Sequence, residues 1–339
     1  MILTSSPDSG VIALNEIQAI DPGARLRKWL APGVGWVALE MDWDSLARRL
    51  GERPPVFCRH ICPVQACVAL RQDRLDLDDL AAAARSFTAH LDRSQTFSVQ
   101  TRQVGVGWPY TRYDVNQRLA EELMAQGAPL DVRQPAQVFS LVLTPTQGYL
   151  GLSRAVDNLS DWAGGARRFK HEEGQVSRAE FKLLEALELF HLSLPANGLA
   201  LDLGASPGGW TRILRQHAMR VVAVDPGDLH PSLVVDRAVR HVRQTAQNYL
   251  STADERFDVI LNDMRMDAQD SAHIMNVAGR NLNRDSGWAL LTLKLPKRGA
   301  AKVAYLALET LRKRYTVTGA RQLFHNRSEI TVALGKVPW

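Results

Sequence analysis

The chain has 339 residues, of which 45% are apolar and 23% charged, a composition typical of globular proteins. Because a single core rarely extends beyond about 250 to 300 residues, this length predicts two or three domains. The net charge of +5 is compatible with a nucleic-acid partner, whereas the lack of any apolar run of about 18 residues argues against a membrane span.

The first 77 residues alternate between helical and extended patterns. Residues 11–20 and 43–50 have the apolar spacing of helices, whereas residues 35–41 and 55–70 have extended patterns. An Asp-rich turn is predicted at 73–79. Such alternation in a short segment predicts a small α+β domain of the ferredoxin-like type over residues 1–77.

A second α+β domain is predicted over residues 78–165. Its helices and strands have the expected spacing of apolar residues. They are the helices 80–91 and 112–126, the strand 96–102, and the hairpin strands 137–143 and 148–154. The charged, glycine-containing residues 166–175 are predicted to be a linker.

From about residue 176 the pattern changes to a regular alternation of strands and helices. The predicted strands are 199–203, 220–225, 257–262, 288–294 and 329–335. The predicted helices between them are 207–217, 268–282 and 300–314. This alternation predicts an α/β domain with a doubly wound, mostly parallel sheet over residues 176–339.

The segment between the first predicted strand of this domain and its first helix is rich in glycine. Gly204 ends the strand, and Pro207 suits the first position of a helix. Gly208 and Gly209 leave room for backbone N–H groups to approach a ligand closely. The next strand ends at Asp225, whose carboxylate could accept hydrogen bonds from two ribose hydroxyls. These features predict a cofactor that contains a nucleoside.

The identity of that cofactor depends on the middle of the loop. The dinucleotide fingerprint G-x-G-x-x-G needs a glycine there so that a pyrophosphate can approach the backbone, but this chain has Ser206. S-adenosylmethionine has no phosphate and tolerates Ser-Pro-Gly-Gly. We therefore predict S-adenosylmethionine, in preference to a dinucleotide or a purely structural turn.

Four residues suited to acid–base chemistry lie beside predicted elements of the same domain. Asp263 follows one buried strand, Lys294 ends the next, Glu329 lies beside the last, and Lys182 lies on a helix before the sheet. Ligands bind at the carboxyl edge of doubly wound sheets. A lysine at the end of an apolar strand is costly unless it has a partner or a function.

These residue types suit methyl transfer to a ribose 2′-hydroxyl. That hydroxyl is a weak nucleophile, so a neutral amine that accepts its proton would accelerate the reaction. Burial and a second nearby ammonium both favour a neutral lysine. We predict Lys294 as the general base, Lys182 as the group that favours its neutral form, and Asp263 and Glu329 as orienting residues. The alternative is a structural ion-pair network at the sheet edge.

These four residues, together with the loop 204–210, resemble the FtsJ-like ribose 2′-O-methyltransferases and their K-D-K-E tetrad. Segments 293–296 and 322–332 resemble the members that methylate large-subunit ribosomal RNA. This resemblance covers roughly residues 176–339. Residues 78–165 resemble, more weakly, a THUMP domain, which is an RNA-binding module.

The resemblance implies a Rossmann-like class I methyltransferase domain that uses S-adenosylmethionine and acts on RNA. Thr245 stands where the family usually has an acidic residue near the adenine, so the chain departs from the family pattern there. The cofactor contacts that the resemblance implies are Ser177, Ser206, Pro207, Gly208, Gly209, Trp210, Asp225, Thr245 and Asp263.

The cysteines suggest neither a metal site nor a disulfide scaffold. Cys58, His60, Cys62 and Cys67 form C-x-H-x-C-x4-C, whereas zinc sites prefer paired C-x2-C motifs. The segment has the pattern of a buried strand with small apolar cysteines, so we expect no metal. Three cysteines are an odd number for disulfides, which favours the reducing cytoplasm.

Two other functions remain open. An RNA base N-methyltransferase would be expected to carry an Asn-Pro-Pro-Tyr-like motif, but Asp263 is followed by Met-Arg-Met. A non-catalytic RNA-binding or ribosome-assembly protein that retained the fold would have no need of Lys294.

Overall fold

The structure is a computed structural model that describes residues 1–87 and 89–335. The end of the predicted 176–339 domain, residues 336–339, therefore lies outside the described residues. The chain separates into two compact units, Met1–Ala166 and a second that begins at Arg167. The predicted linker 166–175 contains no helix or strand and coincides with the start of the second unit.

The first unit begins with a four-stranded antiparallel sheet whose connections contain two helices. Its elements are β1 (Ile2–Thr4), α1 (Gly10–Gln18), β2 (Arg25–Ala31), β3 (Val34–Ala38), α2 (Trp43–Glu52) and β4 (His60–Cys62). The strand order is β2-β3-β1-β4. Strand β2 was not predicted, because it is a partly exposed edge strand without an alternating apolar pattern.

A second four-stranded sheet completes this unit. Its elements are β5 (Ala66–Ala69), α3 (Asp76–Arg85), β6 (Phe97–Gln103), α4 (Arg112–Met124), β7 (Gln137–Thr144) and β8 (Gln147–Arg154). The strand order is β5-β8-β7-β6, with β6 and β7 parallel and the predicted β7–β8 hairpin antiparallel. Both helices contribute to its buried apolar core through residues such as Leu80 and Leu119.

Two details of this unit differ from the sequence predictions. Strand β5 falls within the predicted 1–77 domain but pairs with β8, so it belongs to the second sheet. Helix α3 begins at Asp76, inside the segment predicted as a turn, and ends at Arg85 instead of residue 91. Acidic residues in the first turn of a helix are favoured by its dipole, which explains why the Asp-rich segment is helical.

The second unit is built on a seven-stranded sheet. Its elements are α5 (Glu180–Leu189), β9 (Leu199–Leu203), α6 (Gly209–Gln216), β10 (Arg220–Val224), α7 (Pro231–Val234), β11 (Val239–Val242), α8 (Ala246–Thr252), β12 (Val259–Asn262), α9 (Ala268–Ala278), β13 (Trp288–Lys294), α10 (Ala300–Arg312), β14 (Val317–Arg321) and β15 (Glu329–Leu334). The strand order is β11-β10-β9-β12-β13-β15-β14, and β15 alone among these strands is antiparallel to both of its neighbours.

This topology confirms the predicted mostly parallel α/β sheet. Apolar residues of the inner strands and flanking helices, among them Leu183, Trp210, Val221, Leu261 and Leu290, form its core. The edge strands β11 and β14 were not predicted, because they are only partly buried and lack a continuous apolar run. The chain order reverses direction beside β9 and β12, where ligands bind in doubly wound sheets.

Within the described ranges, no helix combines the length and apolar composition that a membrane span requires. The three cysteines are free thiols, two of them buried and Cys67 exposed. No group of three or more His, Cys, Asp or Glu side chains in the described part of the chain is arranged to hold a metal ion.

Candidate active site

A cavity of about 680 Å³ lies at the carboxyl edge of the parallel strands in the second unit. All four predicted catalytic residues line it: Lys182, Asp263, Lys294 and Glu329. Six of the nine predicted cofactor residues line it, namely Ser177, Ser206, Pro207, Gly209, Trp210 and Asp263, the last of which is also a predicted catalytic residue. The structure thus brings residues that are up to 152 positions apart (from 177 to 329) to one cavity.

Strand register explains how the predicted catalytic residues meet. Strands β12 and β13 run in parallel, and their register brings Asp263, just beyond β12, beside Thr292. Strands β13 and β15 run antiparallel, with Lys294 directly opposite Glu329. Residues two apart on a strand point to the same face, so Thr292 and Lys294 lie side by side.

The four charged side chains form a closed ring of ion pairs. Lys182 Nζ lies 2.7 Å from Glu329 Oε1 and 3.2 Å from Asp263 Oδ2. Lys294 Nζ lies 2.6 Å from Asp263 Oδ1 and 2.6 Å from Glu329 Oε2. Each carboxylate therefore bridges both lysines, and two positive charges balance two negative charges.

Burial makes these interactions strong. The side chain of Glu329 is 7% exposed and that of Lys294 is 25% exposed. Burial raises the pKa of Asp263, but the ammonium groups of Lys294 and Lys182 lower it by more. The pKa therefore lies below its usual value, and the carboxyl remains charged. Burial lowers the pKa of Lys182, but Asp263 and Glu329 raise it above its usual value. Lys182 is therefore held as an ammonium.

Helix α5 and the glycine-rich loop are tied to each other. The buried Glu180 carboxylate accepts hydrogen bonds from the N–H groups of Val176 and Ser177, and lies 2.7 Å from Arg212 on α6. The Trp210 indole N–H donates to the carbonyl of Ala179 at 2.8 Å. These contacts hold the segment that carries Ser177 against the loop 204–210.

The glycines of the loop allow close packing of the cavity wall. Gly204 and Gly208 have φ values of 77° and 112°, which side chains disfavour. A Cβ on Gly209 would lie 2.2 Å from Ser177 Oγ. The prediction that Pro207 occupies the first helical position is wrong, because α6 begins at Gly209 with Gly208 as its N-cap.

Three predicted cofactor residues are not among the described residues that line the cavity: Gly208, Asp225 and Thr245. The Asp225 carboxylate accepts hydrogen bonds from the N–H groups of Ser206 at 3.1 Å and Gly227 at 2.7 Å, so it anchors the loop to the end of β10. The hydroxyl of Thr245 caps helix α8 by accepting from the N–H of Asn248. Their predicted contacts with a cofactor stay predictions.

Sequence reasoning missed Asp202, which also lines the cavity. Burial raises its pKa to about 7, although the Thr211 hydroxyl, 2.7 Å away, partly opposes this shift, while Asp263 and Asp225 reinforce it. An acidic residue within the apolar strand β9 was the available signal, since a buried carboxylate is costly without a function.

Three exposed arginines at the cavity were also missed, although each lies within four positions of a predicted catalytic residue. They are Arg178, Arg265 and Arg327. Within the part of the chain that the structure describes, none of them makes an ion pair. The cavity therefore has a charge-balanced quartet, formed by Lys182, Asp263, Lys294 and Glu329, and a positively charged rim, formed by the three arginines.

Comparison with known proteins defines the class of this site. Residues 175–311 match the family described as FtsJ-like methyltransferase. Most of the second unit thus matches a methyltransferase domain, as the sequence predicted.

Relatives along the chain define the family further. The chain is 36% identical over 335 residues to the ribosomal RNA large subunit methyltransferase M of Alkalilimnicola ehrlichii, covering 92% of this chain and 90% of that protein. The chain is 36% identical to the protein of the same name from Azotobacter vinelandii, over 61% of both chains. It is 34% identical to that from Halorhodospira halophila, over 50% of both chains. The chain belongs to the ribosomal RNA large subunit methyltransferase M family.

Proposed function

We propose that this protein transfers the methyl group of S-adenosylmethionine to a ribose 2′-hydroxyl of large-subunit ribosomal RNA, with Lys294 accepting the proton. The observation that carries this proposal is the convergence of Lys182, Asp263, Lys294 and Glu329 on one cavity. The family relationship supports both the methyltransferase chemistry and the ribosomal RNA substrate.

The residues around the cavity fit S-adenosylmethionine. The cavity volume of about 680 Å³ lies in the range of small-molecule sites. When bound, the cofactor supplies a methyl group on a positively charged sulfonium, and it also carries an ammonium group. The carboxylates of Asp202 and Asp263 offer negative charge on the cavity wall. We propose that the loop 204–210, Ser177 and Asp225 hold the nucleoside and amino acid parts.

The quartet suits proton transfer from a ribose hydroxyl. The bound cofactor would supply the methyl group to the ribose oxygen and would keep the electron pair of the broken carbon–sulfur bond, and the amine of Lys294 would accept the proton of the ribose hydroxyl. Asp263 and Glu329 hold that amine from two sides at 2.6 Å. Lys182 remains an ammonium between the same carboxylates.

The arginine rim suits an RNA backbone. Arg178, Arg265 and Arg327 are exposed and would present planar guanidinium groups to phosphates. The backbone beside each is held by a side chain. Glu180 accepts from Ser177 N–H, Asn262 accepts from Met264 N–H, and the Gln322 side-chain amide donates to the carbonyl of Arg327. Fixed positions reduce the entropy that an arginine loses when it binds a phosphate.

We propose that the first unit binds RNA largely through phosphates and shape. The order β2-β3-β1-β4 and the succession β-α-β-β-α-β of its first sheet support a ferredoxin-like subdomain. The helices and hairpin of its second sheet support a THUMP-like subdomain. A protein that modifies ribosomal RNA would act in the cytoplasm.

Ribose methylation can be tested directly. Purified protein, cofactor with a radioactive methyl group and a large-subunit ribosomal RNA transcript should yield methylated RNA with one internucleotide bond resistant to alkali, because alkaline cleavage needs a free 2′-hydroxyl. Lys294→Met should form this product about 10²- to 10⁴-fold more slowly. Label on a base would indicate a base methyltransferase, and RNA binding without label would indicate a non-catalytic protein.

A further inference from the structure

A threonine outside the predicted quartet contacts two of its members. Thr292 lies within β13 and is fully buried. Its hydroxyl oxygen lies 2.5 Å from Asp263 Oδ1 and 2.5 Å from Lys294 Nζ. A buried hydroxyl is costly without hydrogen bonds. Here both hydrogen-bond partners are charged groups of the site, so the hydroxyl interacts directly with its ion pairs.

The available protons determine which group donates. The Lys294 ammonium has only protons to offer, so the Thr292 oxygen accepts from it. The carboxylate of Asp263 has only lone pairs, so the single hydroxyl proton of Thr292 goes to it. The hydroxyl is therefore a one-directional link from Lys294 through Thr292 to Asp263.

This link completes the set of acceptors around the proposed base. The three protons of the Lys294 ammonium face three acceptors: Asp263, Glu329 and Thr292. The two carboxylates also bind Lys182, whereas the Thr292 hydroxyl makes its hydrogen bonds in the described structure to Asp263 and Lys294. Only the threonine contact is thus specific to Lys294 among these three.

We infer that Thr292 is a positioning residue for the methyl transfer, because its hydroxyl fixes where the amine of Lys294 stands relative to Asp263. The inference rests on the proposed function. Because its proton is committed to Asp263, the hydroxyl does not donate into the lone pair of a neutral Lys294 amine. The hydroxyl oxygen therefore remains an acceptor for an N–H of Lys294, and the amine keeps its place.

Two valine variants, Thr292→Val and its control Thr331→Val, test this role. Thr292→Val removes the hydroxyl at nearly constant volume, and Thr292→Ser keeps it. The control is Thr331→Val, because Thr331 is the cross-strand partner of Thr292, is equally buried, and directs its hydroxyl to Asn326 instead of the quartet. Thr292→Ala provides a second deletion that relieves any strain from the valine.

Thr292→Val and Thr292→Ala should lower kcat by about 10- to 100-fold, since loss of a hydrogen bond to a charged group and misplacement by about 1 Å have effects of this size. KM for RNA and Kd for the cofactor should be unchanged. Thr292→Ser should recover most of kcat. Thr331→Val should lower the melting temperature but keep the wild-type kcat.

A double-mutant cycle distinguishes positioning from general weakening of the fold. In a Lys294→Met background, Thr292→Val should cause no further loss of the residual activity, because the group that it positions is absent. An equal loss in both backgrounds, or wild-type kcat in Thr292→Val, would overturn the inference. Absence of ribose methylation by the wild-type protein would instead overturn the proposed function.

Discussion

Replacing Lys294 by arginine separates its positive charge from its capacity to accept a proton. A guanidinium stays protonated under all ordinary conditions, so Lys294→Arg keeps a cation between Asp263 and Glu329 but offers no base. The wild-type amine lies 2.6 Å from a carboxylate oxygen of each. The variant should therefore bind cofactor and RNA normally and fail in the chemical step.

The expected loss follows from the role assigned to the amine. A positioned general base contributes about 10²- to 10⁴-fold to a rate, which corresponds to about 2.7 to 5.4 kcal/mol of activation free energy. Lys294→Met should show the same loss together with reduced stability, because one negative charge of the Asp263–Glu329 pair is then uncompensated. Removing one partner from a buried ion pair costs about 3 to 5 kcal/mol, and the 25% exposure of the Lys294 side chain favours the lower end.

Single-turnover methyl transfer to ribosomal RNA measures the chemical step, and thermal denaturation measures stability. Near-wild-type activity of Lys294→Arg would refute the reasoning, since Lys294 would then act through its charge alone.

Three further predictions concern the cofactor and the RNA. Asp225→Ala should weaken cofactor binding about 10- to 150-fold by removing hydrogen bonds to a charged acceptor, and calorimetry that finds an unchanged Kd in a folded variant would contradict the assignment. Cofactor affinity should be constant above pH 7 and fall by up to about tenfold per pH unit below it, because a cationic ligand needs Asp202 ionised and its pKa is about 7. Calorimetry across this range checks the effect, and Asp202→Asn should abolish it. Glutamine in place of each rim arginine, Arg178, Arg265 or Arg327, should reduce the slope of log RNA affinity against log salt concentration by about one unit. The control is Arg220→Gln, at the opposite end of strand β10, which should leave the slope unchanged. Equal slopes in all variants would exclude phosphate contacts by the three rim arginines.

Local sequence was sufficient for the inner strands of the second unit and for four of the charged residues at its cavity, Lys182, Asp263, Lys294 and Glu329. Apolar strands such as β9, β12 and β13 are buried on both faces, so their continuous apolar runs are visible without the fold. Asp263 and Lys294 end such runs, where a charge is conspicuous. The partly exposed edge strands and the boundary near β5 were missed, because their assignment depends on pairing with distant strands.

The sequence by itself determined which chemistry the site could perform, since the residue types and their places beside apolar strands indicated a base, a cofactor loop and orienting carboxylates. Only the tertiary structure decided which side chains meet. Glu329 lies opposite Lys294 through the register of β13 and β15, and Thr292 lies beside Asp263 through that of β12 and β13. A register between strands depends on the packing of the whole sheet, so no local pattern contains it. For the same reason Thr292 resembled any other core residue until its neighbours were known.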